Sequence, residues 1–210
     1  IIPFSVTSIG NEAFRGCTGL KELTIENGYY SLSLGVNSSS GNGGLFSECQ
    51  LERLYIGRNL SYPGQNSSYP PFNHITTLKT VVFGNTVTSI GEWLFYGCSA
   101  LDSISLPESL TSIGDYAFYN CSSLPTVNIP SRVSSIGGSA FYGCASLNSL
   151  TIPANVSSVS DYAFSGCTGL KELILADTTA VLSLGHISSS GGGLFHDCKL
   201  ERLYVGRNLS

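Results

Sequence analysis

Methionine is absent from the 210-residue chain, tryptophan occurs once, and only 24 residues carry charge, 10 basic against 14 acidic. So small and balanced a charge excludes a polybasic nucleic-acid binder and an acidic disordered tail. The net charge of −4 steers the chain toward no particular partner. Long hydrophobic runs are missing too: the longest reach four residues, against the roughly 20 that a membrane-spanning helix requires. The opening Ile1-Ile2-Pro3 lacks the basic, apolar, small-residue pattern of a secretory leader. There is no Cys-x-x-Cys pair, no His-x3-His spacing and no Gly-x-Ser-x-Gly elbow, and the Gly-rich stretches Gly41-Asn42-Gly43-Gly44 and Gly191-Gly192-Gly193 are not followed by Lys-Ser/Thr. These absences predict no metal site, no cofactor and no catalytic residues. What is plentiful is small and polar, with 48 Ser and Thr and 24 Gly set among 42% hydrophobic residues.

Those residues are arranged periodically, and the repeat decides the fold class. Cys98, Cys121, Cys144 and Cys167 lie 23 residues apart, each ending a Phe-x-x-Cys step that begins at Phe95, Phe118, Phe141 or Phe164. Cys17, Cys49 and Cys198 take the same place in longer units, and Ile75 takes it after Phe72, which implies about eight coils. A longer period overlies the first: residues 14–61 and 164–210 match at 32 of 47 aligned positions, with Cys17 and Cys167 150 residues apart. A block of six coils is therefore duplicated. The expectation is one domain over residues 1–210, a fragment interior to a longer array.

Each coil reads as a strand, a turn and a second extended edge. In Leu101-Asp102-Ser103-Ile104-Ser105-Leu106 the apolar residues alternate with serine, the period of a half-buried strand. Pro107, Pro130 and Pro153 follow such strands and end them without interrupting a ladder. Leu110 and Ile113 lay a second apolar edge into the core, and Gly114 allows the chain to turn. Tyr116-Ala117-Phe118 leaves room for one or two short helical or 3-10 turns, with Phe118 plugging the interior. No 23-residue coil buries its own apolar face, so neighbours must stack into a solenoid with a continuous core and right-handed crossovers. Cysteines at one repeat position point the same way, which favours a reduced buried column over disulfides.

The phrases Leu-x-x-Ile-x-Ile-Pro, Val-x-x-Ile-Gly and Ala-Phe-x-x-Cys resemble the BspA-like leucine-rich repeat, a 23-residue class found in bacterial surface proteins, and they cover essentially the whole chain. The resemblance implies a leucine-rich-repeat solenoid: a right-handed superhelix of the β-rich α/β kind, with one parallel β-sheet face, short helical or 3-10 turns and a second extended edge per coil. It also implies an extracellular or cell-surface location, no enzymatic activity, and adhesion to host matrix proteins or other surface proteins.

Candidate binding residues are those exceeding the needs of the coil. On the open strand face one outward column reads Glu22, Arg53, Thr80, Ser103, Thr126, Ser149, Glu172, Arg202, and the next includes Tyr55 and Tyr204. Its middle is a Ser/Thr ladder able to satisfy itself. Its ends pair Glu22 with Arg53 and Glu172 with Arg202 beside a tyrosine, either as surface salt bridges or as anchors of a binding patch. Tyr62 and Tyr69 belong to an irregular loop over residues 61–71, and two coils carry insertions at Asn37–Gly41 and Ser188–Gly191. Tyr96, Tyr119 and Tyr142 form a ladder along one ridge, by packing alone or as an aromatic strip for glycan or peptide. His74, His186 and His196 fall in or beside loops. His196-Asp197 is an imidazole–carboxylate neighbour pair whose side chains are expected to diverge.

The resulting expectation is an extracellular binding or adhesion module for protein or glycan, with a structural spacer that binds nothing as the alternative. Neither nucleic-acid binding nor membrane insertion by this segment is expected. Incomplete end coils predict end-to-end self-association, or lower stability than a longer array, through unpaired edges.

Overall fold

The structure, a computed structural model, describes residues 1–36, 44–46, 48–62, 70–185 and 193–210. Strands form where alternation demands them, except at Val127 and Ile129, where an isolated bridge takes the strand's place. In Thr80–Phe83 and Ser149–Ile152 the second and fourth residues are buried while the first and third look outward. Glu22–Ile25, Arg53–Ile56, Thr80–Phe83 and Ser103–Ser105 pair into a four-stranded parallel sheet. Ser149–Ile152, Glu172–Leu175 and Arg202–Val205 continue it as a three-stranded one. A Thr126–Ser149 bridge marks the rung before the second sheet. Register follows the repeat: Glu22 faces Arg53, Arg53 faces Thr80, and Thr80 faces Ser103.

The second edge forms from shorter pieces. Ser89–Ile90, Ser112–Ile113, Ser135–Ile136, Ser158–Val159 and Ser183–Leu184 make a five-stranded parallel sheet, each with its apolar residue turned inward. Prolines set up the corner between the two sides. The carbonyls of Pro107, Pro130 and Pro153 accept the N–H groups of Leu110, Val133 and Val156 at 3.0–3.1 Å, so the fixed φ of proline starts a turn where no N–H is needed. Next to it the hydroxyls of Thr111, Ser134 and Ser157 donate to the carbonyls of Thr88, Thr111 and Ser134 at 2.9, 3.3 and 3.1 Å. These hydroxyl bonds tie successive coils together at the corner, on residues other than the sheet-face column of Thr80, Ser103, Thr126 and Ser149.

The solenoid class holds, but the third side differs from the expected short helical or 3-10 turns: no helix occurs among the described residues. Two residues per coil there have left-handed backbone. Trp93, Tyr116, Ser139 and Tyr162 have φ of 61, 56, 52 and 57°, and Gly97, Asn120, Gly143 and Gly166 have φ of 71, 55, 68 and 72°. A left-handed residue every four positions stops a right-handed helix before it starts. The N–H groups then alternate in purpose. Those of Tyr96 and Cys98 close turns onto Trp93 and Phe95, while those of Trp93, Phe95 and Gly97 donate to Asp115, Ala117 and Tyr119 of the next coil at 2.9, 2.9 and 2.7 Å. The turns therefore form a third hydrogen-bonded ladder between coils.

One buried cluster runs through all the stacked coils. Among the described residues eight phenylalanines, Phe14, Phe46, Phe72, Phe95, Phe118, Phe141, Phe164 and Phe195, stack in series at centroid distances of 4.7–5.9 Å. Beside them the thiols of Cys98, Cys121, Cys144 and Cys167 donate to the carbonyls of Phe72, Phe95, Phe118 and Phe141 at 3.1–3.3 Å. The cysteines are free. Corner glycines serve close approach rather than positive φ: a Cβ on Gly137 would lie 2.5 Å from the backbone nitrogen of Asp115 in the preceding coil.

Candidate functional site

On the open sheet face the first three rungs carry a crossed set of charges. Lys21-Glu22 on one rung lies over Glu52-Arg53 on the next. Arg53 Nη1 donates to Glu22 Oε1 at 2.8 Å, Lys21 Nζ lies 3.5 Å from Glu52 Oε1, and Lys79 Nζ reaches Glu52 Oε2 at 3.1 Å. The Lys79 bond, with the charges of Lys79 and Lys21, holds the Glu52 carboxyl below its ordinary pKa. Tyr55 donates its hydroxyl to Asn27 Oδ1 at 2.9 Å. Glu22, Thr24, Arg53, Tyr55, Thr80 and Val82 edge a shallow hollow of about 200 Å³, where the short Thr24 and Thr80 lie between taller side chains.

The arrangement recurs after the 150-residue period. Arg202 Nε lies 3.2 Å from Glu172 Oε1, Lys171 Nζ lies 3.3 Å from Glu201 Oε1, and Tyr204 donates to Asp177 Oδ1 at 2.9 Å. That bond raises the Tyr204 phenol above its usual pKa. All these ion pairs are solvent-exposed, so water and salt screen them and each contributes little to stability. Their clearer effect is on register, since a slip of one residue would set like charges opposite each other.

Other expected residues fall elsewhere. Tyr62 is half-buried against the core and donates to the Glu92 carbonyl at 2.7 Å. Burial pushes its phenol well up, which is the position of a packing residue. Tyr69, His186 and the two insertions lie outside the described residues. His196 and Asp197 do not diverge: Nδ1 and Oδ2 lie 3.1 Å apart on the surface, side chains 47% and 64% exposed. The left-handed φ of 62° at Asp197 redirects its side chain toward its neighbour. Tyr96, Tyr119 and Tyr142 stack at 4.6 and 4.7 Å with nearly parallel rings.

Several residues given no binding role in the sequence analysis join these. Trp93 stacks on Tyr116 at 3.8 Å, and the edge of His74 meets Tyr96 at 5.2 Å. The 23-residue step from Trp93 to Tyr116 is a signal that could have revealed this second aromatic column. Tyr29 and Tyr30 stand 97% and 81% exposed on the turn that follows the first long strand. Arg58 and Arg207 are buried in the shared phrase Gly-Arg-Asn-Leu-Ser. Arg58 donates to the carbonyls of Pro3 and Phe4, and Arg207 to those of Ile152, Pro153, Ala154 and Val156. Among the described residues no His, Cys, Asp and Glu group has the arrangement of a metal site, and no helix is long and apolar enough to cross a membrane.

The same repeats are recognisable in other proteins. The sequence pattern of the BspA type leucine rich repeat region matches six copies over residues 1–98 and 69–190. A leucine-rich repeat protein from Bacteroides ovatus has a similar structure, with 26% identity and a TM-score of 0.67 over 96% of this chain and 47% of that one. The chain thus spans about half of that protein's resolved length. A leucine rich cell surface protein from Faecalibacterium prausnitzii aligns at 20% identity and a TM-score of 0.46, over 94% of this chain and 64% of its own. The T. pallidum leucine rich repeat protein aligns at 23% identity and a TM-score of 0.45, over 79% of this chain and 78% of its own. No curated protein sequence matches significantly. With the repeat pattern, the parallel ladders and the sequence match in agreement, the chain belongs to the BspA-type leucine-rich repeat family.

Proposed function

We propose that the chain is a non-enzymatic recognition module of an extracellular or surface-anchored protein, engaging a protein or glycan through its open sheet face and inserted loops. The observation that carries this reading is the hollow bordered by Glu22, Arg53 and Tyr55, together with the recurrence of the same charge-and-tyrosine set at Glu172, Arg202 and Tyr204. Arginine and tyrosine on a rigid scaffold are common anchors of interfaces, tyrosine because it buries much surface for little lost freedom and arginine because its planar fork makes several hydrogen bonds at once. The scaffold is held by three ladders, so little ordering of the sheet face is needed on binding.

A spacer that only projects another domain is the rival reading. The short, polar middle of the sheet-face column, Thr80, Ser103, Thr126 and Ser149, favours it locally. Surface plasmon resonance against matrix proteins and a glycan array separates the two. The recognition reading expects a ligand whose binding falls on Arg53→Ala with Tyr55→Ala, or on Arg202→Ala with Tyr204→Ala. Absence of any ligand above the level of a surface-scrambled control would favour the spacer instead.

A further inference from the structure

The corner between the turn side and the open sheet is built alike in most coils. The N–H of Leu20 closes a turn onto the Cys17 carbonyl at 3.0 Å, that of Leu78 onto Ile75 at 3.1 Å and that of Leu101 onto Cys98 at 3.0 Å. Cys49-Gln50-Leu51 lacks one residue of that turn. Set between two full-length corners, it leaves a notch of about 390 Å³ at the rim of the sheet face. Thr18 and Lys21 border it on one side, Thr76 and Lys79 on the other, with Gln50 and Glu52 between them. The Thr77 hydroxyl donates to the Leu51 carbonyl at 2.8 Å and ties the shortened coil to its neighbour. The same omission recurs at Cys198-Lys199-Leu200, beside the Lys171–Glu201 pair.

Two lysines converge on one carboxylate here. Lys21 Nζ and Lys79 Nζ lie 3.5 and 3.1 Å from opposite oxygens of Glu52, which leaves one positive charge over. Asp102 on the next rung is exposed, and among the described residues no ion pair joins it to Lys79. Both lysine side chains are more than half exposed, so they can meet a ligand as well as Glu52. The rest of the lining is mostly neutral and polar: Thr18, Thr76 and Gln50 carry hydroxyl and amide groups that both donate and accept. The notch has the volume of a small-ligand site. A sugar ring bearing a carboxylate answers all of these groups at once, its acid toward the lysines and its hydroxyls toward the threonines, Gln50 and the Glu52 carboxylate. A peptide carboxylate would meet the lysines and leave the neutral groups to water.

We propose that the notch binds an acidic sugar, a uronate or sialate residue of a glycan, with Lys21 and Lys79 on its carboxylate and Thr18, Gln50 and Thr76 on its hydroxyls. The proposal rests on the reading of the chain as a recognition module and adds a site of its own at the rim of the sheet face.

Isothermal titration calorimetry on the full chain would use oligogalacturonate, sialyllactose, a neutral galacto-oligosaccharide and a Gly-Glu repeat peptide. The expected result is saturable binding of oligogalacturonate or sialyllactose, which also tells the two sources apart, and none of the other probes. Lys79→Gln should weaken that binding about fivefold, the worth of one exposed charge pair. Glu52→Gln, which frees both lysines, should tighten it by a similar factor. An ion triad with only a structural role would not produce these opposite signs. One glycine inserted between Gln50 and Leu51 copies Thr18-Gly19 and fills the notch with every charge kept, so it should abolish binding. Circular dichroism checks the fold of that variant, and the two substitutions decide the matter if it does not fold. Equal binding of the Gly-Glu peptide would overturn the sugar assignment in favour of charge alone. Loss on Arg53→Ala with Tyr55→Ala, but not on Lys79→Gln, would move the ligand to the sheet hollow and overturn the notch. Binding of neither acidic sugar overturns the proposal and leaves the recognition reading to its own ligand screen, so the two failures are distinguishable.

Discussion

Phenylalanine at the core position has a neighbour above and below, so the cost of removing it is shared by three coils. Phe118 is completely buried and stacks on Phe95 at 5.5 Å and on Phe141 at 5.2 Å. Phe118→Ala is expected to cost about 3–5 kcal/mol through lost burial and the cavity left behind, measured by urea denaturation. The cysteine beside each ring contributes differently. Burial raises the Cys98 and Cys144 thiols to about 12 from 9.0. The folded state therefore holds these protons more tightly than the unfolded state. The stabilisation they confer is complete below pH 9 and is lost as pH rises from there toward 12. Stability should decline across that alkaline range, and the buried thiols should resist a thiol reagent at pH 8 until the chain unfolds.

At the level of the element, legibility in the sequence depended on what the 23-residue step encodes. Strands, their inward residues and their register could be read because alternation and spacing report which side chains are buried. The turn side could not, since Trp93 and Tyr116 look like ordinary helix residues and only their φ of 61 and 56° shows otherwise. Arg58 was illegible for another reason: its acceptors, Pro3 and Phe4, lie 55 and 54 residues earlier in the chain, beyond any local pattern. The left-handed column permits a direct test. Asn120 is the asparagine in a column of Gly97, Gly143 and Gly166, all at positive φ. Asn120→Gly should leave Tm within about 2 °C, read by calorimetry, because asparagine already tolerates this conformation and glycine loses more freedom on folding. An alanine at the same place should lower it.

Across the whole molecule, the candidate sheet site was legible as two columns of residues, whereas its hollow required the heights of neighbouring side chains.

The 150-residue period also acts as a ruler. Six rungs at about 4.8 Å place the Glu22–Arg53–Tyr55 and Glu172–Arg202–Tyr204 sets roughly 29 Å apart along one side of the solenoid. Under the proposed recognition reading, two like sites at a fixed separation would favour polymers over monomers. A ligand that repeats its epitope at that interval holds the second contact at a high effective concentration once the first is made, and one with a single epitope does not. Selectivity for a repeating surface would then arise from spacing between sites rather than from the strength of either.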